Sequence, residues 1–167
     1  MRFPGLSIVA TAAIAAALSV SAEAQEWVAP PRPMEDPDGS RSCSLFVSGE
    51  LPVVGVQVFA DGAALVLMAD ELRGISNGHD ATLAFPSGAT APVALFKTSL
   101  DSDLALVRLS RNAGAQALDL DAVIPHLSVA GTFSVSGEGL HVEVGPLPEA
   151  TVQALIFLTC LSELDNG

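Results

Sequence analysis

The chain has 167 residues, with 19 acidic against 7 basic side chains and a net charge of −12. Binding nucleic acid or an anionic membrane surface requires clustered Lys and Arg, so this balance disfavours both. With only two cysteines, neither a many-bridged scaffold nor a cysteine-rich metal cluster is available.

Arg2 precedes an apolar run from Leu6 to Val20, which ends in the small-x-small sequence Ala22-Glu23-Ala24. The run is shorter than the ~20 predominantly apolar residues of a membrane span, and it is rich in Ala, Ser and Thr. Residues 1–24 therefore read as a signal peptide. The mature chain from Gln25 is expected in the periplasm or outside the cell, where Cys43 and Cys160 can oxidise. No comparable run follows, so stable membrane insertion after cleavage is not expected.

Residues 25–42 hold four prolines and four acidic residues and read as an extended lead-in. Trp27, the only tryptophan, is either docked on the domain or mobile. From Cys43 the pattern changes to short apolar runs broken by Gly, Pro, Asp or Ser. Cys43–Gly49, Val53–Gly62 and Ala63–Asp70 are the first three, and Asp61-Gly62 is a hairpin cue between the last two. Ala81–Phe85 and Ala91–Lys97 flank the turn residues Pro86-Ser87-Gly88, and Leu104–Leu109 is apolar enough for a central strand. Thr132–Val135 and Leu140–Val144 bracket a second hairpin. Leu118–Val129 has weak helical character interrupted by Pro125. A stronger helix is expected from Pro148-Glu149 to about Leu164, with little polar face and hence mostly buried. Residues 43–167 are thus expected to form one mainly β (α+β) domain. Its architecture is an antiparallel β-sandwich or flattened barrel closed by a C-terminal helix. Cys43 and Cys160 are expected to form a disulfide tying its two ends together.

No catalytic, cofactor-binding or metal site emerges. His79, His126 and His141 share no metal spacing, and His79 falls in a turn sequence. Asp36-x-Asp38-Gly39, Asp101-x-Asp103 and Asp119-x-Asp121 lack the further oxygen ligands and closing Glu of a calcium loop. Gly137-Glu138-Gly139 lacks the helix that follows a dinucleotide-binding turn. The stretch Phe96–Ser110, with Gly78–Pro92 before it, resembles the strand carrying the catalytic aspartate of trypsin-like serine proteases. That resemblance makes Asp103 the triad aspartate. Yet the segment Ala69-Asp70-Glu71, where the family's histidine is due, has none, and no GDSGG-type nucleophile loop follows. Without an imidazole to take the serine proton the triad has no chemistry.

A second resemblance covers roughly residues 43 to 160. A signal peptide, Trp27 soon after cleavage and Cys43 opening a strand come first. Next are Asp70-Glu71-Leu72-Arg73-Gly74-Ile75 before Ala81–Phe85, then Leu118–Leu127, Gly131–Val135, Leu140–Val144 and an Ala- and Leu-rich closing helix. This layout is similar to the invasion-associated locus B family of small periplasmic proteins of α-proteobacteria. The cysteines depart from that pattern: the middle positions read Lys97-Thr98-Ser99-Leu100, and the second cysteine is Cys160. The resemblance implies an exported β-rich domain with no shared catalytic residues. The expected function is non-enzymatic binding of a protein or cell-envelope component, a basic protein by charge, with no cofactor. The alternative is a degenerate or inactive trypsin-like hydrolase domain.

Overall fold

The apolar runs of the sequence become strands because every second residue in them can be buried while its neighbours face out. A computed structural model describes residues 25–35, 39–111 and 118–166; the expected signal peptide, residues 1–24, lies outside them. In chain order the elements are β1 (Glu26–Val28), β2 (Met34–Glu35), β3 (Arg41–Ser48), β4 (Val53–Phe59) and β5 (Gly62–Met68). A single 3-10 turn (Asp70–Leu72) leads to β6 (His79–Ala84), β7 (Thr90–Leu95), β8 (Leu104–Ser110) and β9 (Leu118–Asp119). Then come α1 (Leu120–Ser128), β10 (Gly131–Gly137), β11 (Leu140–Leu147) and α2 (Thr151–Asp165).

Two sheets form. One runs β1-β3-β4-β5-β8-β9, with β2 also paired to β3; the other runs β11-β10-β6-β7. All pairings are antiparallel except β8 with β9. Among the described residues a single bridge, Phe96 with Leu106, joins the sheets. The inner face of the first sheet presents Cys43, Leu45, Val56, Leu65 and Val107; that of the second presents Leu83, Val135 and Val142. These residues share one core. The fold is therefore the mainly β, two-sheet arrangement with a closing helix that the sequence predicts.

The helices are positioned by different means. Asp119 caps α1 by accepting a hydrogen bond from the Asp121 amide at 3.0 Å. Pro125 sits inside α1, where it removes a backbone donor. Burial of Leu120, Val123, Ile124 and Leu127 holds the helix together nonetheless. The end of α1 is fastened to the start of α2 by the Ala150 amide on the Ser128 carbonyl at 2.8 Å. α2 begins at Thr151, three residues later than its proline suggests, and lies against β3. The Cys43–Cys160 disulfide, with Cα atoms 6.0 Å apart, ties the two together.

Two expectations are corrected. The lead-in is extended, but it is not a segment outside the domain: β1 and β2 both pair with β3. Trp27 is only 4% exposed and donates from Nε1 to the Pro148 carbonyl at 3.0 Å. An indole that size contributes a large apolar burial, which outweighs the extended tail's freedom. The domain thus begins before Cys43. The second correction concerns α2, whose inward residues are Ala154, Phe157, Cys160 and Leu164, whereas Val152, Leu155 and Leu158 are exposed. A helix resting on one sheet can bury only one stripe, whatever its composition.

β3 and β4 approach unusually closely at Gly55. A Cβ there would lie 2.7 Å from the Phe46 Cβ and 2.9 Å from the Leu45 carbonyl oxygen. Gly55→Ala is expected to lower the unfolding free energy by about 1–3 kcal/mol, the usual cost of overpacking. Urea titration of both proteins checks this. A loss below the error of the titration would mean that the strands separate freely at that point.

Candidate functional site

Asp103 sits at the mouth of β8, beside the 3-10 turn. The Ala69 amide donates to the Asp103 carbonyl at 2.9 Å, so the segment Ala69-Asp70-Glu71 does border the aspartate. The Asp103 carboxylate is held by Arg73, with Nη2 to Oδ2 at 3.2 Å; Arg73 Nε also reaches Asp70 at 3.4 Å. A guanidinium cannot take a proton from a serine, so Arg73 does not replace the missing imidazole. Beneath it Lys97 is buried and donates through Nζ to the Leu72 and Leu100 carbonyls, while its own amide binds Asn77 Oδ1 at 3.0 Å. Lys97 pins the turn from below. The corner is a braced junction.

The three histidines are dispersed. His79 is on β6, and its Nε2 is buried with no protein partner. It lies close under Gly137, where an added Cβ would be 3.0 Å from that nitrogen. Gly137 therefore serves close strand approach. His141 is exposed on β11, 3.9 Å from Glu143. His126, on α1, meets Ser87 of the β6–β7 turn, Oγ to Nδ1 at 2.8 Å, and its ring rests beside Phe85. A nucleophile–base pair also needs an acceptor that fixes the imidazole tautomer and donors for an oxyanion. Among the described residues no carboxylate is hydrogen-bonded to the His126 ring, and the pair latches the turn to α1. Sequence reading missed it because the partners are 39 residues apart.

The acidic pairs also separate. Asp119 is a helix cap, Asp103 is paired with Arg73, and Asp36 and Asp38 lie outside the described residues. Among the described residues no three His, Cys, Asp or Glu side chains gather where they could hold a metal ion. The expected disulfide residues, Cys43 and Cys160, are brought together as described above.

Two surface features stand out. The first is the outer stripe of α2. Val152, Leu155 and Leu158 are 63%, 61% and 47% exposed. Ala150 to Ser162 carries no charged residue. Spacing of three residues keeps these side chains on one side of the helix. The second is an open cleft of about 940 Å³ where the two sheets part, lined by Pro92, Val93, Phe96, Val107, Arg108 and Leu118, among others. Among the described residues no helix is long and apolar enough to cross a membrane.

These features define a class: a mainly β, two-sheet α+β domain whose closing helix is fixed by one disulfide and is apolar on its outer side. Comparison with family models, curated proteins and solved structures finds no match to this chain.

Proposed function

We propose that the protein is an exported, acidic, non-enzymatic domain that binds another protein or a cell-envelope component through the outer stripe of α2. The observation that carries this reading is the exposure of Val152, Leu155 and Leu158 on an uncharged helical face. Aliphatic anchors at helical spacing are what a partner groove takes up, and clustered exposed apolar residues mark interaction sites. The oxidised cysteine pair and the signal-like residues 1–24 support a periplasmic or secreted location. The net charge of −12 favours a basic partner, by steering its approach at low salt. Kinship with the invasion-associated locus B family is proposed on the sequence layout alone.

A chemical cross-link from the oxidised protein to an envelope-fraction partner is the test. Leu155→Glu is expected to weaken capture by about tenfold or more, since an interfacial anchor is worth upward of 1–2 kcal/mol and a buried charge adds to the loss. The fold should be unaffected, because Leu155 is 61% exposed and not part of the core. Capture undiminished by Leu155→Glu would sink the reading.

One observation favours a second reading, an inactive trypsin-like domain. The Ala69 amide bonds Asp103, which sets the segment expected to carry a histidine against the expected aspartate. On that reading Arg73 has taken the place of the missing base as the aspartate's partner. Labelling of the purified protein by a fluorophosphonate would argue for retained serine chemistry and against both readings.

A further inference from the structure

The cleft between β7 and β8 has a shape that strand geometry explains. Phe96 and Leu106 exchange two backbone hydrogen bonds, each 2.8 Å. Continuing that antiparallel ladder would set Ala94 opposite Arg108 and Pro92 opposite Ser110, but the pairing stops at the bridge. Pro92 has no N–H to offer, and a proline on an edge strand blocks ordinary ladder growth. β9 takes the β8 edge at Leu109 and Ser110, so beyond the bridge the two strands part like a V and β7 is left as the edge of its sheet. Hydrogen-bonding direction alternates along a strand. Since Phe96 points its amide and carbonyl toward β8, Ala94 points its own into the cleft. Val93, Val107 and Leu118 form an apolar floor.

The narrow end is closed by the Phe96–Leu106 bridge, and Arg108 stands there with its guanidinium 4.8 Å over the Phe96 ring. Arg73 and Arg111 have carboxylate partners at Asp103 and Asp165, but among the described residues Arg108 has none. The cation–π contact holds the guanidinium over the ring, where its N–H donors can meet a planar acceptor. Asp80 is on the opposite wall, in register with Ala94 and one strand further from Arg108.

We propose that this cleft binds the C-terminal end of an extended peptide. The peptide adds to the β7 edge through Ala94, puts a small or branched apolar side chain on the floor, and ends at the bridge with its carboxylate on Arg108. It runs parallel to β7, because only that direction brings a C-terminus to the closed end. An internal segment is excluded by the bridge, which leaves no exit. Asp80 favours a basic residue upstream of the last two. Main-chain pairing supplies affinity in such strand addition and the side-chain floor supplies selectivity. This site is separate from the α2 stripe, so its failure would leave the reading of that stripe standing.

The test is a titration of the oxidised, nitrogen-15-labelled protein followed by amide resonances. The probes are acetyl-Val-Thr-Val as the free acid, the same peptide as its C-terminal amide, and sodium acetate. The free acid is expected to shift the Val93, Ala94, Val107 and Arg108 amides saturably. The amide should bind about tenfold more weakly, the scale of one charge-assisted hydrogen-bonded contact. Arg108→Gln, a change on the surface, should weaken the acid about tenfold and remove its advantage over the amide. Equal binding of acid and amide would overturn the proposal, as would shifts elsewhere or none at millimolar peptide. Acetate giving the same shifts at the same concentration would make this a small-anion site and overturn the peptide assignment.

Discussion

Replacing both cysteines, as Cys43→Ala with Cys160→Ala, is expected to lower the unfolding free energy by about 4 kcal/mol. The bridge spans 117 residues of sequence, so breaking it frees nearly the whole domain in the unfolded state. Loop-closure entropy for a loop of that length is roughly 4–5 kcal/mol, and the loss can fall below this where the uncrosslinked chain keeps residual structure. Both sulfurs are on fully buried residues between β3 and α2, so their removal also loosens the contact that holds the helix. Domains of this kind are stable by about 5–15 kcal/mol, which makes the change a large fraction of the total. Urea titration measures it: the midpoint should fall and the slope should rise, since the unlinked chain exposes more surface on unfolding. A loss below about 1 kcal/mol would mean that α2 is held by packing alone and that the bridge is dispensable.

Trp27→Ala should cost about 3–5 kcal/mol, the range for removing a large buried aromatic from a core. Trp27 is almost wholly buried, and its Nε1–H bond to the Pro148 carbonyl links the start of the chain to the approach of α2. The variant therefore loses apolar burial and leaves the Pro148 carbonyl without its indole donor. Thermal unfolding followed by far-ultraviolet circular dichroism gives the value. As the only tryptophan, Trp27 also reports directly: its emission should be blue-shifted in the native protein and move red on unfolding. A cost within 0.5 kcal/mol, typical of a surface change, would return residues 25–42 to the status of a detached tail.

These two residues also show what local pattern can and cannot carry. The strands were legible because Gly, Pro, Asp and Ser interrupt the apolar runs, and β8 coincides almost residue for residue with Leu104–Leu109. The Asp61-Gly62 cue located its hairpin, although the turn itself is Ala60-Asp61 and Gly62 already pairs with Phe59. Pairing between distant strands left no local mark. That β6 joins β10 across the chain, and that β9 adds parallel to β8, depends on long-range burial. The lead-in looked like a tail because its prolines and charges dominate its composition, while a single buried indole determines its place. In α2 an almost uniformly apolar sequence concealed which stripe faces in, since periodicity disappears when both faces are apolar.

The candidate sites were less legible. Asp103 drew notice through its resemblance to a protease strand, but its partner Arg73 is set by tertiary structure. Arg108 alternates outward between the buried Val107 and Leu109, which was readable. Its stacking on Phe96 and the parting of β7 from β8 were not, because they arise where two sheets meet. Ser87 and His126 likewise meet only through the fold.

On the proposed function, α2 offers its outer stripe to a partner. The most direct measurement places a photo-reactive amino acid at position 155, or at the exposed position 143 on β11 as a control, and irradiates each oxidised protein in an envelope fraction. One discrete cross-linked species is expected from position 155, none from position 143, and the first should disappear when Val152→Glu is added. Equal labelling from both positions, or none from position 155, would rule out that role for α2.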